Sequence, residues 1–131
     1  MTRIKSKTPS KGRLVAEREE GASTDTLPPL FSLSHIEKGF CVKNCDKDEQ
    51  AAVALALRDI SALTWGRLKQ APRKGIGYEN IYAIRKSIPA IAVSRQLIAF
   101  RVGELFRLVG FRERQTFFVL WIDPKGQVYK H

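Results

Sequence analysis

Apolar residues change their spacing part-way along this chain, and the change separates a helical stretch from a run of strands. In EQAAVALALRDISAL (49–63), Val53, Leu57, Ile60 and Leu63 recur at steps of four, three and three, which places them on one face of an α-helix. Asp46 stands where its carboxylate can accept a free first-turn N–H, and Glu49 three places on supplies the other half of a capping box. Thr64 is placed to cap a second, shorter helix, TWGRLKQA, which stops before Pro72 because the residue ahead of a proline is pushed out of helical geometry. From Leu97 the pattern is that of strands. LIAFRV (97–102), LFRLVGF (105–111) and TFFVLWI (116–122) read as three successive antiparallel strands, joined by a tight turn at Gly103-Glu104 and by the segment 112–115. Asp123-Pro124-Lys125-Gly126 has a turn composition and introduces a last short strand, QVYKH.

Upstream of the helices, FSLSHI (31–36) has the alternation of a short strand and is broken by Lys38-Gly39. PRKGIGYENI (72–81) is loop-like, its glycines permitting unusual backbone angles around Arg73 and Lys74. AIRKSIPAIAV, within 82–95, fits one interrupted strand, since Pro89 is tolerated only at an edge or a bulge. Residues 1–29 lack apolar periodicity and end in Leu27-Pro28-Pro29, so they are expected to form a flexible basic arm, with one folded domain over 30–131. Two N-terminal helices packed on one face of a C-terminal antiparallel β-meander make an α+β fold.

The net charge of +10 changes this picture by pointing to a polyanionic partner: nucleic acid, an acidic protein or an anionic membrane surface. Residues 1–29 hold 6 basic and 4 acidic groups, whereas residues 30–131 hold 17 and 9, so most of the excess belongs to the folded part. Residues 66–114 alone hold eleven basic and three acidic groups. No apolar run approaches the roughly 18 to 20 residues of a membrane span, and the basic start is not followed by the apolar stretch of a secretory signal. Cys41 and Cys45 are too few for a disulfide framework, and no second Cys or His pair completes a zinc site, so a reducing cytoplasm without metal or cofactor is expected. GIGYEN lacks the GK[ST] ending of a P-loop, and there is neither a dinucleotide fingerprint nor a serine nucleophile elbow.

Candidate chemistry therefore rests on cations in the strand region. Strand alternation sets Arg101 apart from Ile98, Phe100 and Val102, and a bulge at Gly110 would bring Arg107 and Arg112 onto one face. On an open sheet face these guanidinium forks suit phosphate oxygens, although solvent-facing arginines of a half-covered sheet read the same way. Tyr129 and His131 add a ring and a group that exchanges protons near neutral pH, which together with the arginines suit metal-free attack of a ribose 2′-OH on its phosphate. A terminal histidine is also often just frayed. Arg73, Lys74, Arg101, Arg114 and Lys130 are the expected contacts to nucleic acid. Trp65, Trp121 and His35 read as structural.

A strand, a helical pair and a meander with arginines on consecutive strands and Tyr or His at the end, IAFRVGELFRLVGFRERQTFFVLWIDPKGQVYKH, resembles the RelE/ParE superfamily of bacterial toxins over residues 46–131. That resemblance implies a small endoribonuclease cutting messenger RNA on the ribosome and held inactive by an acidic antitoxin. Arg107 and Arg112 would then stabilise the phosphate, with Tyr129 or His131 near the scissile bond and Arg101 and Lys74 on flanking RNA. The basic arm and the missing terminal helix depart from the family pattern, and family members also act on gyrase or have lost activity. A nucleic-acid-binding protein without catalysis and a basic module for an acidic protein remain the alternatives.

Overall fold

The capping residues do what their spacing predicts. In the computed structural model, which describes residues 23–70 and 75–130, the Asp46 carboxylate accepts from the Glu49 N–H at 2.8 Å and the Glu49 carboxylate accepts from the Asp46 N–H at 2.9 Å. Helix α1 (Lys47–Ser61) starts there, and helix α2 (Trp65–Lys69) starts at Thr64, whose hydroxyl accepts from the Arg67 N–H. Five strands follow the order β1-β5-β4-β3-β2 across one sheet: β1 (Leu30–Ser32), β2 (Glu79–Ile81), β3 (Leu97–Arg101), β4 (Arg107–Glu113) and β5 (Thr116–Asp123). The architecture is α+β. Strands β3, β4 and β5 form the expected antiparallel meander, but β1 lies parallel to β5, pairing Leu30 with Thr116 and Ser32 with Phe118.

The helices cover one face of this sheet. Val53, Ile60, Trp65 and Leu68 pack on Ile98, Phe100, Leu108, Phe117 and Val119. At the centre, the Phe100 and Phe117 rings meet edge to face at 5.0 Å, a favourable arrangement of their quadrupoles. Trp65 and Trp121 are both buried, as their apolar contexts predict.

The second face departs from expectation: it is closed as well. Leu97, Ala99, Val109, Phe111, Leu120 and Trp121 lie there beneath Phe40, Ile84, Ile91, Ala92, Val128 and Tyr129. The physical reason is visible in the runs themselves, because a strand buried on both faces carries apolar residues at both parities, as TFFVLWI does. Two irregular segments form the cover. Residues 82–95 are not an interrupted strand but a strap that crosses the sheet, with a single 3-10 turn at Ala90–Ala92. Residues 127–130 are not a strand either. The buried Asp123 carboxylate accepts from the N–H groups of Gln127 and Val128, both at 2.9 Å, and turns the chain back so that Val128 and Tyr129 fold onto the sheet. The Arg85 N–H donates to the Val128 carbonyl at 2.7 Å and joins the two segments.

The register irregularity sits at Gly110, but the extra residue belongs to β5. Val109 faces Trp121 while Gly110 faces Val119, so Leu120 is the surplus and both Leu120 and Trp121 reach the second face. The alternation of β4 is left intact. Residues 24–28, which the sequence assigns to the arm, are bonded to the domain: Trp65 N–H donates to the Leu27 carbonyl, Gly66 N–H to Asp25, and the Gln115 side chain to Pro28.

Candidate nucleic-acid interface

An unshifted β4 separates the two arginines expected to form one clamp. Leu108, Gly110 and Arg112 share the helix-covered face, and Arg107, Val109 and Phe111 the other, so Arg107 and Arg112 do not converge. Each is also engaged. Arg107 is 7% exposed, and its Nη1 donates to the carbonyls of Gly103, Glu104 and Phe106 at 2.8, 3.0 and 3.1 Å. It holds the β3–β4 turn together. Arg112 lies 4.4 Å from the centroid of the Trp65 ring and donates to the Arg114 carbonyl, the Thr24 hydroxyl and the Asp25 carboxylate. Lys69 donates to the same carboxylate at 2.8 Å. These two bonds, Lys69 first and Arg112 second, hold the Asp25 carboxyl below its ordinary value.

Tyr129 is 3% exposed, and burial pushes its hydroxyl above the ordinary value, with Glu79 adding to the shift and Arg107 opposing it. At neutral pH it is a protonated, packed ring beside Arg107. The remaining candidates scatter. Arg101 pairs in register with Arg107 and lines a groove of about 520 Å³ next to Leu55, Asp59 and Val102 of the helix-covered side. Arg114 is exposed in the two-residue turn between β4 and β5, and Lys130 is exposed just past Tyr129. Arg73, Lys74 and His131 lie outside the described residues. His35 is exposed, its ring 5.9 Å from that of Phe118. Burial raises the Cys45 thiol above its ordinary value, so it is a poor nucleophile. Among the described residues no group of three or more His, Cys, Asp or Glu is placed to hold a metal, and no helix is long and apolar enough to cross a membrane.

What the structure gathers instead is the outer side of the strap. Ile84, Ile91 and Ala92 point down into the second core, and the residues between them face out: Tyr82, 83% exposed, with Arg85, Lys86, Ile88, Val93 and Arg95. Two of these cations rest on rings of the covered face. Lys86 Nζ is 5.3 Å from the Phe40 centroid, and the Arg95 guanidinium is 4.9 Å from that of Phe111, so each cationic head rests against a ring while the residue stays exposed. Arg95 also meets Glu113 in an exposed pair at 3.1 Å, which leaves most of its donors unused. Lys130, two residues past the Val128 that accepts from the Arg85 N–H, is exposed. From residue 80 to residue 103 the chain contains no Asp or Glu. That acid-free stretch was the signal available in the sequence; what hid the site was the strand assignment, under which half of these residues would point inward.

Comparison of the chain with protein-family models finds no match, and neither the curated proteins nor the solved structures contain a match.

Proposed function

We propose that the protein binds nucleic acid, RNA foremost, through the outer side of the 82–95 strap and the cations beside it. The observation that carries this reading is the outward display of Tyr82, Arg85, Lys86 and Arg95 on a stretch free of acidic side chains, on a chain of net charge +10. Phosphates attract such cations through counterion release, and an exposed ring offers a face on which a base can stack. The test is fluorescence anisotropy of the full chain with a labelled RNA over a salt series. Binding should weaken steeply with salt, and replacing Arg85 and Lys86 together by Ala should reduce the slope of log K against log salt by about 1.4, or roughly 0.7 per phosphate contact on a single strand. A slope unchanged by that double substitution would place binding elsewhere. Preference for vesicles of anionic lipid over RNA would replace the reading with a membrane surface.

A second reading is the toxin-like endoribonuclease that the RelE/ParE resemblance implies, cutting mRNA on the ribosome in the cytoplasm and neutralised by an acidic antitoxin. One observation favours it: a helical pair precedes an antiparallel meander, as the resemblance requires. With Arg107 and Arg112 on opposite faces the expected phosphate clamp is lost, and with Tyr129 buried the candidate for proton transfer under this reading is His131. Tightly induced expression should then arrest translation, and His131→Ala should relieve the arrest while leaving the melting temperature unchanged. Arrest that persists in His131→Ala, or no arrest at all, speaks against cleavage.

A further inference from the structure

We infer that the strap binds a single-stranded nucleic acid by taking one unstacked base into the small pocket beneath Tyr82. This rests on the binding function proposed above and specifies its ligand. The pocket has a volume of about 110 Å³ and is lined by Ile81, Tyr82, Ile84, Ile88, Ser94 and Arg95, among others. Aliphatic side chains of Ile81, Ile84 and Ile88 on its wall offer apolar contact to the face of a flat ring, and the pocket opens to solvent. The exposed Tyr82 ring stands at its edge, where a base entering the pocket, or its neighbour, can stack. Arg95 lines the pocket too, and the exposed Arg85 and Lys86 follow Tyr82 a few residues on along the same strap, cations for the phosphates of a strand whose base enters the pocket.

The charge around the pocket fits a base better than an apolar side chain of a protein partner. Among the described residues the charged group lining the pocket is Arg95, whose pair with Glu113 leaves most of its donors unused, and no acid occurs in the chain between residues 80 and 103, so charge complementarity favours a ligand that is anionic along its length. Ser94, on the pocket wall, has a φ of +68°, a left-handed conformation that costs energy for a residue with a side chain. That conformation sets the turn by which the chain leaves the 3-10 turn at Ala90–Ala92 and enters β3, and with it the position of Arg95 beside the ring it rests on. Bases within a duplex are stacked on both faces and paired at the edge, and none can enter a pocket without being extruded. A single strand presents its bases freely, so the pocket discriminates strand state.

The experiment measures binding of the full chain to three fluorescein-labelled probes of roughly 12 nucleotides at one salt concentration: oligouridine, an abasic oligonucleotide and a duplex RNA. Oligouridine should bind about tenfold tighter than either of the others, and Tyr82→Ala should remove about that factor for oligouridine alone, whereas Tyr82→Phe should keep it. Ile88→Trp, at a half-exposed position, should fill the pocket and exclude a base with the same selective loss. If the abasic strand or the duplex binds as tightly as oligouridine, the phosphates alone are read and the base pocket is refuted while nucleic-acid binding stands. If none of the three probes binds, the binding function itself fails, and the pocket with it.

Discussion

Arg107 illustrates how a charged side chain can belong to the interior. Its guanidinium replaces water for the carbonyls of Gly103 and Glu104 at the β3–β4 turn and adds a further donor to the Phe106 carbonyl, which also accepts from the N–H groups of Val102 and Gly103. Asp123 is its cross-strand partner in register and is itself satisfied by two backbone N–H groups, so the buried pair serves the backbone on both sides. Truncating Arg107 would leave the Gly103 and Glu104 carbonyls without that partner, at roughly 1–3 kcal/mol for each one left dry. We expect Arg107→Ala to lower stability by about 3 kcal/mol or more, read from the midpoint of urea unfolding. A loss under about 1 kcal/mol would mean that water takes over the guanidinium's role. Arg112 differs in that its partners belong to other elements, and its stack on Trp65 ties α2, the β4–β5 turn and Asp25 together.

At the scale of the element, the β5 backbone approaches β4 so closely at the register irregularity that there is no room for a side chain at Gly110. A Cβ at this position would run into the Phe118 carbonyl oxygen and press on the Phe117 ring at 3.1 Å. The contact is with backbone, which cannot swing aside. Gly110→Ala should therefore destabilise by about 1–3 kcal/mol or more, and hydrogen exchange should show the loss concentrated in β4 and β5. Uniform loosening of the whole sheet would argue against a local clash. How much of this was legible in the sequence varies with the kind of signal. The two caps and the faces of α1 follow from spacings of three and four, and the three long strands follow from apolar runs; all are local. Gly110 was recognisable as a site of irregularity, but which strand carries the surplus residue depends on how Leu120 and Trp121 pack against the strap, and no local pattern states that. The strap itself was hidden because Ile84, Ile91 and Ala92 stand at i, i+7 and i+8, a helical spacing that Pro89 interrupts, so the segment forms neither an α-helix nor a strand. Its exposed cations were missed for the same reason, while Arg107 and Arg112 attracted attention because arginines inside apolar runs stand out whether they bind a ligand or a carbonyl.

For the molecule as a whole, ionisation sets a window of stability. Folding lowers the Asp25 carboxyl, through Lys69 and then Arg112, so the unfolded chain holds that proton more tightly. The stabilisation is present above the ordinary value of 3.8 and is lost as the pH falls through the folded value. Burial raises Tyr78 and Tyr129, so their contribution is complete below the ordinary value of 10.0 and is lost as the pH rises beyond it. Melting temperatures from about pH 3 to about 11 should form a plateau with both ends falling. Asp25→Asn should flatten the acid limb, and Tyr129→Phe should flatten the alkaline one. An acid limb of equal steepness in Asp25→Asn would assign it to other carboxylates.

The parallel pairing of β1 with β5 has a consequence for how the chain is made. Leu30 finds its partner only when Thr116 is available, and the neighbouring Glu37 N–H waits for the Leu120 carbonyl in the same way. During synthesis both helices and the β3–β4 hairpin can form while the first strand still has nothing to lie against. Early and late portions of the chain are thus joined in one closing step, and a chain that has not yet delivered β5 lacks both that strand and the β1 that pairs with it in the sheet.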